Sequence, residues 1–187
     1  MVYASWMFSS NPRVDTENVI NNPYTTAGWL GIGRQGGILT EYVFGIRWFN
    51  PLFCNVMGYI IFFLSGLLIA YLFVRIGKVG NDAALLFALL YESAPIFTEV
   101  FYFDMMIFKV AFAGLLCFLA VGMDFCGIIK KNWIFKSVAG LAMIWTFSTY
   151  QAFVPLYIGI TAACYVLYVR KNGGEKTSIL AADLANC

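Results

Sequence analysis

From Leu52 to Val74 the chain reads LFCNVMGYIIFFLSGLLIAYLFV, with no charged residue until Arg75 and Lys78 close the run. About 20 predominantly apolar residues in a helix match the hydrocarbon thickness of a bilayer, and a helix satisfies its own backbone polar groups where no water can do so. This run alone commits the chain to a membrane and to α-structure. Composition agrees: 61% of the 187 residues are hydrophobic, 12% are charged and the mean hydropathy is +0.76, against about 45–50% apolar and about 25% charged in soluble domains. So few charges cannot build a water-facing shell. Aromatic residues make up 18%, and Trp and Tyr suit the headgroup interface. The net charge is +2 and the basic residues are scattered between apolar runs, which argues against a nucleic-acid partner. The five cysteines form no CxxC pair and there is no histidine, so zinc and haem sites are not indicated. Cys54, Cys117 and Cys164 lie within apolar runs and read as small buried hydrophobes.

Four further apolar stretches follow. Ala83 to about Phe97 is short and contains Glu92 and Pro95, which predicts a helix broken near its end. Met105 to Met123 carries Lys109 inside it, and Ile134–Phe147 and Phe153–Val169 flank Ser148-Thr149-Tyr150-Gln151-Ala152 as two helices joined by a tight turn. The expected fold class is all-α, a polytopic helical membrane protein of about five transmembrane helices. Residues 1–50 are expected to form an outer segment of amphipathic surface helices carrying the candidate active site, 51–170 the membrane domain and 171–187 a polar cytoplasmic tail. Arg75 and Lys78, then Lys130, Lys131 and Lys136, then Arg170, Lys171 and Lys176 fall in alternate loops, which the positive-inside rule places in the cytoplasm. The opposite side receives Asp15, Glu17, Glu41, Glu99 and Asp104, with Glu92 near it. Acids contribute little to orientation, so their gathering there asks for a functional reason.

Residues 11–50 hold Arg13, Asp15, Glu17, Arg34 and Glu41 and are too many for a bare connector. Val14–Asn21 and Gly37–Trp48 fit short helices on the bilayer surface, anchored by Trp29, Tyr42 and Trp48. Gly31-Ile32-Gly33-Arg34-Gln35-Gly36 spells GxGxxG, but the dinucleotide fingerprint needs a strand before it and an acid about 20 residues later. Here Pro51–Met57 opens a span and has no acid. These glycines instead read as letting backbone bend close to something, with Arg34 displayed beside them. Asp15 could simply cap a surface helix, and Arg13 and Arg34 could hold lipid phosphates. Lys109 is harder to explain away. A charge at the bilayer centre costs about 2.5–3.5 kcal/mol on insertion scales, and less where it snorkels outward, so Lys109 calls for a carboxylate or phosphate partner. With Glu92 it makes a pair of intramembrane ionisable groups, which by default mark a site.

Asp15-Thr16-Glu17, then Trp29-x-x-x-Gly33-Arg34 ahead of a span, then Tyr150-Gln151-Ala152 at an outer helix end, together resemble the bacterial membrane glucosyltransferases of the GtrII type. The resemblance covers most of residues 10–155. It implies a GT-C type enzyme of the bacterial inner membrane that moves glucose from a polyprenyl-phosphate carrier to an acceptor glycan, such as O-antigen or a cell-wall polymer, on the outer face. The family's essential acid in the first outer loop maps to Asp15, with Glu17 beside it, and Trp29, Tyr150 and Gln151 map to acceptor or structural positions. Members of the family carry a span before this loop and more after the Tyr-Gln-Ala turn, so the chain is expected to be a fragment of such a protein.

The residue inventory suits that chemistry. A lipid phosphate is a good leaving group that needs cations to hold its charge, which Arg34, Arg13 and Lys109 can supply. With no histidine, the base for an acceptor hydroxyl falls to a carboxylate, first of all Asp15. A divalent cation on Asp15 with Glu99 or Asp104 is an alternative use of the same acids, and Glu92 is a further auxiliary acid. Two other classes stay open on sequence grounds, a transporter or flippase with Lys109 and Glu92 lining its path, and a non-catalytic membrane subunit. A transferase keeps its charges at the outer surface, whereas a carrier spreads them across the midplane.

Overall fold

The computed structural model describes residues 26–31, 33–46, 50–95, 97 and 106–172. Among the described residues seven helices follow one another: α1 (Thr26–Gly31), α2 (Gln35–Phe44), α3 (Pro51–Arg75), α4 (Asn81–Glu92), α5 (Ile107–Lys130), α6 (Trp133–Thr149) and α7 (Phe153–Asn172). Among the described residues there is no strand. The protein is a helical membrane protein.

Helix ends follow local chemistry. Asn50 caps α3 by accepting the Phe53 N–H at 3.1 Å, with Pro51 at the first helical position, where its missing N–H costs nothing. Asn132 caps α6 in the same way through the Ile134 N–H at 2.9 Å. Lys131 closes α5 in the left-handed conformation, φ 50° and ψ 39°, and its N–H returns to Gly127 and Ile128. Helix α4 stops at Glu92, with Ser93 as its cap, two residues before Pro95, which disfavours helical backbone ahead of it.

Among the described residues three helices, Leu52–Arg75, Ile107–Lys130 and Phe153–Arg170, are long and apolar enough to cross a membrane. Helix α6 has 17 residues, about 25 Å of rise. It runs from the basic end of α5 to the start of α7 through the turns at Lys131-Asn132 and Tyr150-Gln151-Ala152, and so lies alongside most of the length of α5. The α4 helix has 12 residues, about 18 Å, and climbs only part of the way along α3. Helix α5 is longer than the Met105–Met123 expected from hydropathy, because Asp124 does not end it: that side chain faces Tyr157 of α7 and Lys136 of α6.

Contacts fix the directions. Gly58 of α3 meets Ile107 and Phe108 of α5, and Leu72 meets Gly122, so α3 and α5 run parallel. Helix α4 runs back along α3, with Phe87 edge-on to Phe73 at 4.7 Å and Tyr91 stacked on Phe62 at 5.3 Å. Thr146 of α6 donates to the Ala113 carbonyl of α5 at 3.4 Å, so these two are antiparallel neighbours. Helix α5 is the axis of the bundle: Ala113, Cys117, Phe118, Ala120 and Val121 are fully buried and pack with Ile69 and Phe73 of α3 and Phe153, Ile160 and Cys164 of α7. Cys54, Cys117 and Cys164 are buried as expected. Outward faces carry Leu86, Leu89, Leu141, Ile144 and Ile158, the inverse of a soluble surface and natural only against lipid tails.

Small residues set the helix spacing. A methyl at Gly58 would lie 2.2 Å from Ile107 Cγ2 and 3.2 Å from the Phe108 nitrogen, whereas one at Gly140 meets nothing within 4 Å. Gly58→Ala is therefore expected to destabilise by about 1–3 kcal/mol through overpacking, and Gly140→Ala to be neutral or stabilising by up to about 1 kcal/mol. Thermal unfolding in detergent checks the pair, and equal melting temperatures would refute the close α3–α5 approach.

Candidate functional site

One end of the bundle, away from Arg75, Lys130 and Lys131, is covered by α1 and α2. Helix α1 ends in a turn in which Gly33 takes φ +75°, and the Arg34 N–H bonds back to the Trp29 carbonyl at 2.9 Å. That turn puts Arg34 beside Trp29. The GxGxxG run thus lies at a corner between two helices, α1 before it and α2 after it, and its last glycine is a docking point. At Gly36 a methyl would stand 2.4 Å from the Trp145 carbonyl oxygen and 2.4 Å from Thr149 Oγ1, so α2 touches the α6 backbone there. The Trp145 indole N–H donates to the Gly36 carbonyl at 3.2 Å and to Thr40 Oγ1 at 3.0 Å, and Thr40 donates to the Gly36 carbonyl at 2.8 Å. Farther along α2, Phe44 packs edge-on to Phe108 at 5.2 Å and Phe112 at 4.9 Å. Helix α2 is therefore stitched across α5 and α6.

This docking gathers the charged and aromatic groups. Lys109, in the first turn of α5, is buried and forms an ion pair with Glu41 of α2. A methyl at Gly37 would lie 3.5 Å from Lys109 Cδ, so the lysine stem runs along the bare side of α2 between Arg34 and Glu41. The Lys109 ammonium stands 5.1 Å from the Trp29 ring centre and the Arg34 guanidinium 5.3 Å from the same centre. Arg34 also lies 5.5 Å from the Tyr150 ring centre, and Gln151 Nε2 comes within 3.9 Å of where a Gly33 methyl would be. Such cation–π contacts hold a cation without neutralising it. The ion pair with Glu41 is the one formed by these two cations among the described residues. Arg34 and Lys109 together outweigh Glu41 by one positive charge, an arrangement that accepts an anion.

Arg34, Lys109, Trp29, Tyr150 and Gln151 are brought together from three separate parts of the chain. Glu92 is not among them. Its Oε1 is buried against Gly66, eight residues along α3 from the Gly58 contact with α5, or about 12 Å deeper in the bundle. The carboxylate on Lys109 is Glu41 instead. Asp15, Glu17, Arg13, Glu99 and Asp104 lie outside the described residues, as do the expected Val14–Asn21 helix, Trp48 and the cation-binding alternative built on Asp15. Among the described residues no group of three His, Cys, Asp or Glu could hold a metal ion. Trp29 packs against the two cations. Glu41 and Trp145 went unassigned on sequence grounds. Glu41 had a signal, since it follows Arg34 by seven residues and so shares its helix face.

An all-helical membrane bundle with two cations seated on aromatic rings at one end defines an integral membrane protein with an anion-accepting site. The family model described as Glucosyl transferase GtrII matches residues 4–181, and the chain belongs to that family. That description makes glucosyl transfer its chemistry and implies a sugar donor and an acceptor. No curated protein and no solved structure matches the chain.

Proposed function

We propose that the protein transfers glucose, as a GT-C type enzyme, from a polyprenyl-phosphate carrier to an acceptor glycan such as O-antigen or a cell-wall polymer. The convergence of Arg34 and Lys109 on the Trp29 ring, beside Tyr150 and Gln151, is the observation that carries this reading. In it, Arg34 and Lys109 hold the donor phosphate, with Arg13 as a third cation. An oxygen of the acceptor hydroxyl bonds to the anomeric carbon while the bond from that carbon to the phosphate oxygen breaks. The electron pair stays on the phosphate, and the hydroxyl proton passes to Asp15, with Glu17 as the neighbouring acid. Fixed cations favour this path because they meet negative charge where it develops. The site faces the outer side of the inner membrane in this reading, since Arg75, Lys78, Lys130 and Lys131 gather at the other end.

Removing a general base costs about 10²–10⁴ in rate. Asp15→Asn is therefore expected to lower glucose transfer by that factor in proteoliposomes supplied with polyprenyl-phosphate glucose, at unchanged protein level. Wild-type transfer by this variant would remove Asp15 from the mechanism.

A further inference from the structure

We propose that Glu41 is an exchangeable counter-ion: the phosphate that departs from the sugar displaces it from Lys109, and its return expels the spent carrier. The proposal rests on the donor-phosphate reading above and assigns the regulation of that site to Glu41, an acid that reading does not use.

The geometry is asymmetric in the way an exchange requires. The Lys109 side chain is 11% exposed and that of Glu41 31%, so the carboxylate has open space to swing into and the ammonium has little. Lys109 is also held from other sides, by its stem along Gly37 and by the Trp29 ring. An incoming anion can therefore replace Glu41 while Lys109 keeps its aim. Arg34 stands ready on the other side of the site, on Trp29 and Tyr150, with no carboxylate partner among the described residues.

Charge chemistry then gives Glu41 a role. The donor is a phosphodiester with one negative charge, which Arg34 and Lys109 hold between them while Glu41 still shares the lysine. As the bond from the anomeric carbon to the phosphate oxygen breaks, the electron pair stays on that oxygen and the acceptor's proton leaves for a carboxylate. The phosphate becomes a monoester with a charge of about −1.5 to −2 near neutral pH. The added charge is what Lys109 can meet, once Glu41 lets go. An interaction that strengthens only as charge develops lowers the barrier, whereas one made equally with bound donor does not. After transfer, Glu41 competes with the monoester for Lys109 and speeds its release. Glu41 is thus a positioning residue acting through Lys109.

The test uses the whole protein in phosphatidylcholine nanodiscs, with polyprenyl phosphate as the binding probe and polyprenyl-phosphate glucose for turnover. Glu41→Gln keeps an acceptor for Lys109 and removes the charge. It is expected to bind polyprenyl phosphate about 10-fold tighter or more, the scale of one close charge pair, with KM for the donor and kcat both lowered. Glu41→Ala should move binding in the same direction. A merely structural carboxylate would weaken binding and raise KM on removal, and either that result or unchanged binding overturns the proposal. Lys109→Met should weaken binding whatever Glu41 does; if it does not, the phosphate reading itself fails. Replacing half of the phosphatidylcholine by phosphatidylglycerol should leave polyprenyl phosphate binding intact. Competition by that headgroup would instead assign the site to bulk anionic lipid and overturn the exchange.

Discussion

Lys109→Met is expected to lower glucose transfer by about 10²–10³, the usual loss when one fixed donor to developing negative charge is removed. Methionine keeps an unbranched stem of similar length, so packing along Gly37 and beneath Trp29 survives and the charge alone is lost. One complication is that Glu41 loses its partner, and a stranded charge can by itself destabilise a structure. The double variant Lys109→Met with Glu41→Gln separates the two causes. If the loss came from a stranded carboxylate, the second substitution would restore transfer. If Lys109 meets the phosphate, the double variant stays as slow as the single one. Steady-state transfer rates of the three proteins decide the matter, and wild-type activity in either variant would show that the lysine is structural.

Gly36→Ala is expected to cost about as much without touching a charged residue. The added methyl would sit 2.4 Å from the Trp145 carbonyl oxygen, and a carbon needs about 3.3 Å there. That carbonyl cannot turn away, because it belongs to α6 and already accepts from Ser148 at 3.0 Å and Thr149 at 2.9 Å. Helix α2 must lift by about 1 Å, and a displacement of that size in a positioned catalytic group can cost about 10²-fold. The lift also pulls Thr40 and the Gly36 carbonyl from the Trp145 indole. The neighbouring Gly37→Ala makes the contrast, since its methyl meets Lys109 Cδ at an ordinary 3.5 Å. Hydrogen–deuterium exchange over residues 35–44 should rise in Gly36→Ala and stay at the wild-type level in Gly37→Ala. The same exchange in both would mean that α2 does not rest on α6 at Gly36.

What could be read from the sequence was whatever a single segment decides. The run from Leu52 needs no partner to be a spanning helix, Pro95 stops α4 wherever α4 lies, and the polar Ser148–Ala152 interval forces a turn between two apolar stretches. Lys109 was recognisable as needing an anion because burial of a charge is costly in any fold. Which anion was not recognisable: Glu41 lies 68 residues away in sequence, and only the docking of α2 on Trp145, across 109 residues, brings it near. Glu92 pairs with Lys109 on the sequence only as a second ionisable group within an apolar stretch, and α4 is too short to carry it to the level of Lys109. The glycines at 33 and 36 announced a close backbone approach, while the surface they approach is defined by the fold alone. Asp124 shows the opposite failure, a charge that hydropathy reads as a helix end and that Tyr157 and Lys136 accommodate inside the bundle.

In the proposed mechanism Arg34 and Lys109 together hold the phosphate of a lipid-linked sugar, and direct binding tests this most simply. Radiolabelled polyprenyl-phosphate glucose can be titrated against the wild-type protein and the Arg34→Ala, Lys109→Met double variant in the same nanodiscs. With each charged contact contributing about 1.5–3 kcal/mol, the double variant is expected to bind at least about 100-fold more weakly. Equal affinity in the two proteins would contradict the assignment.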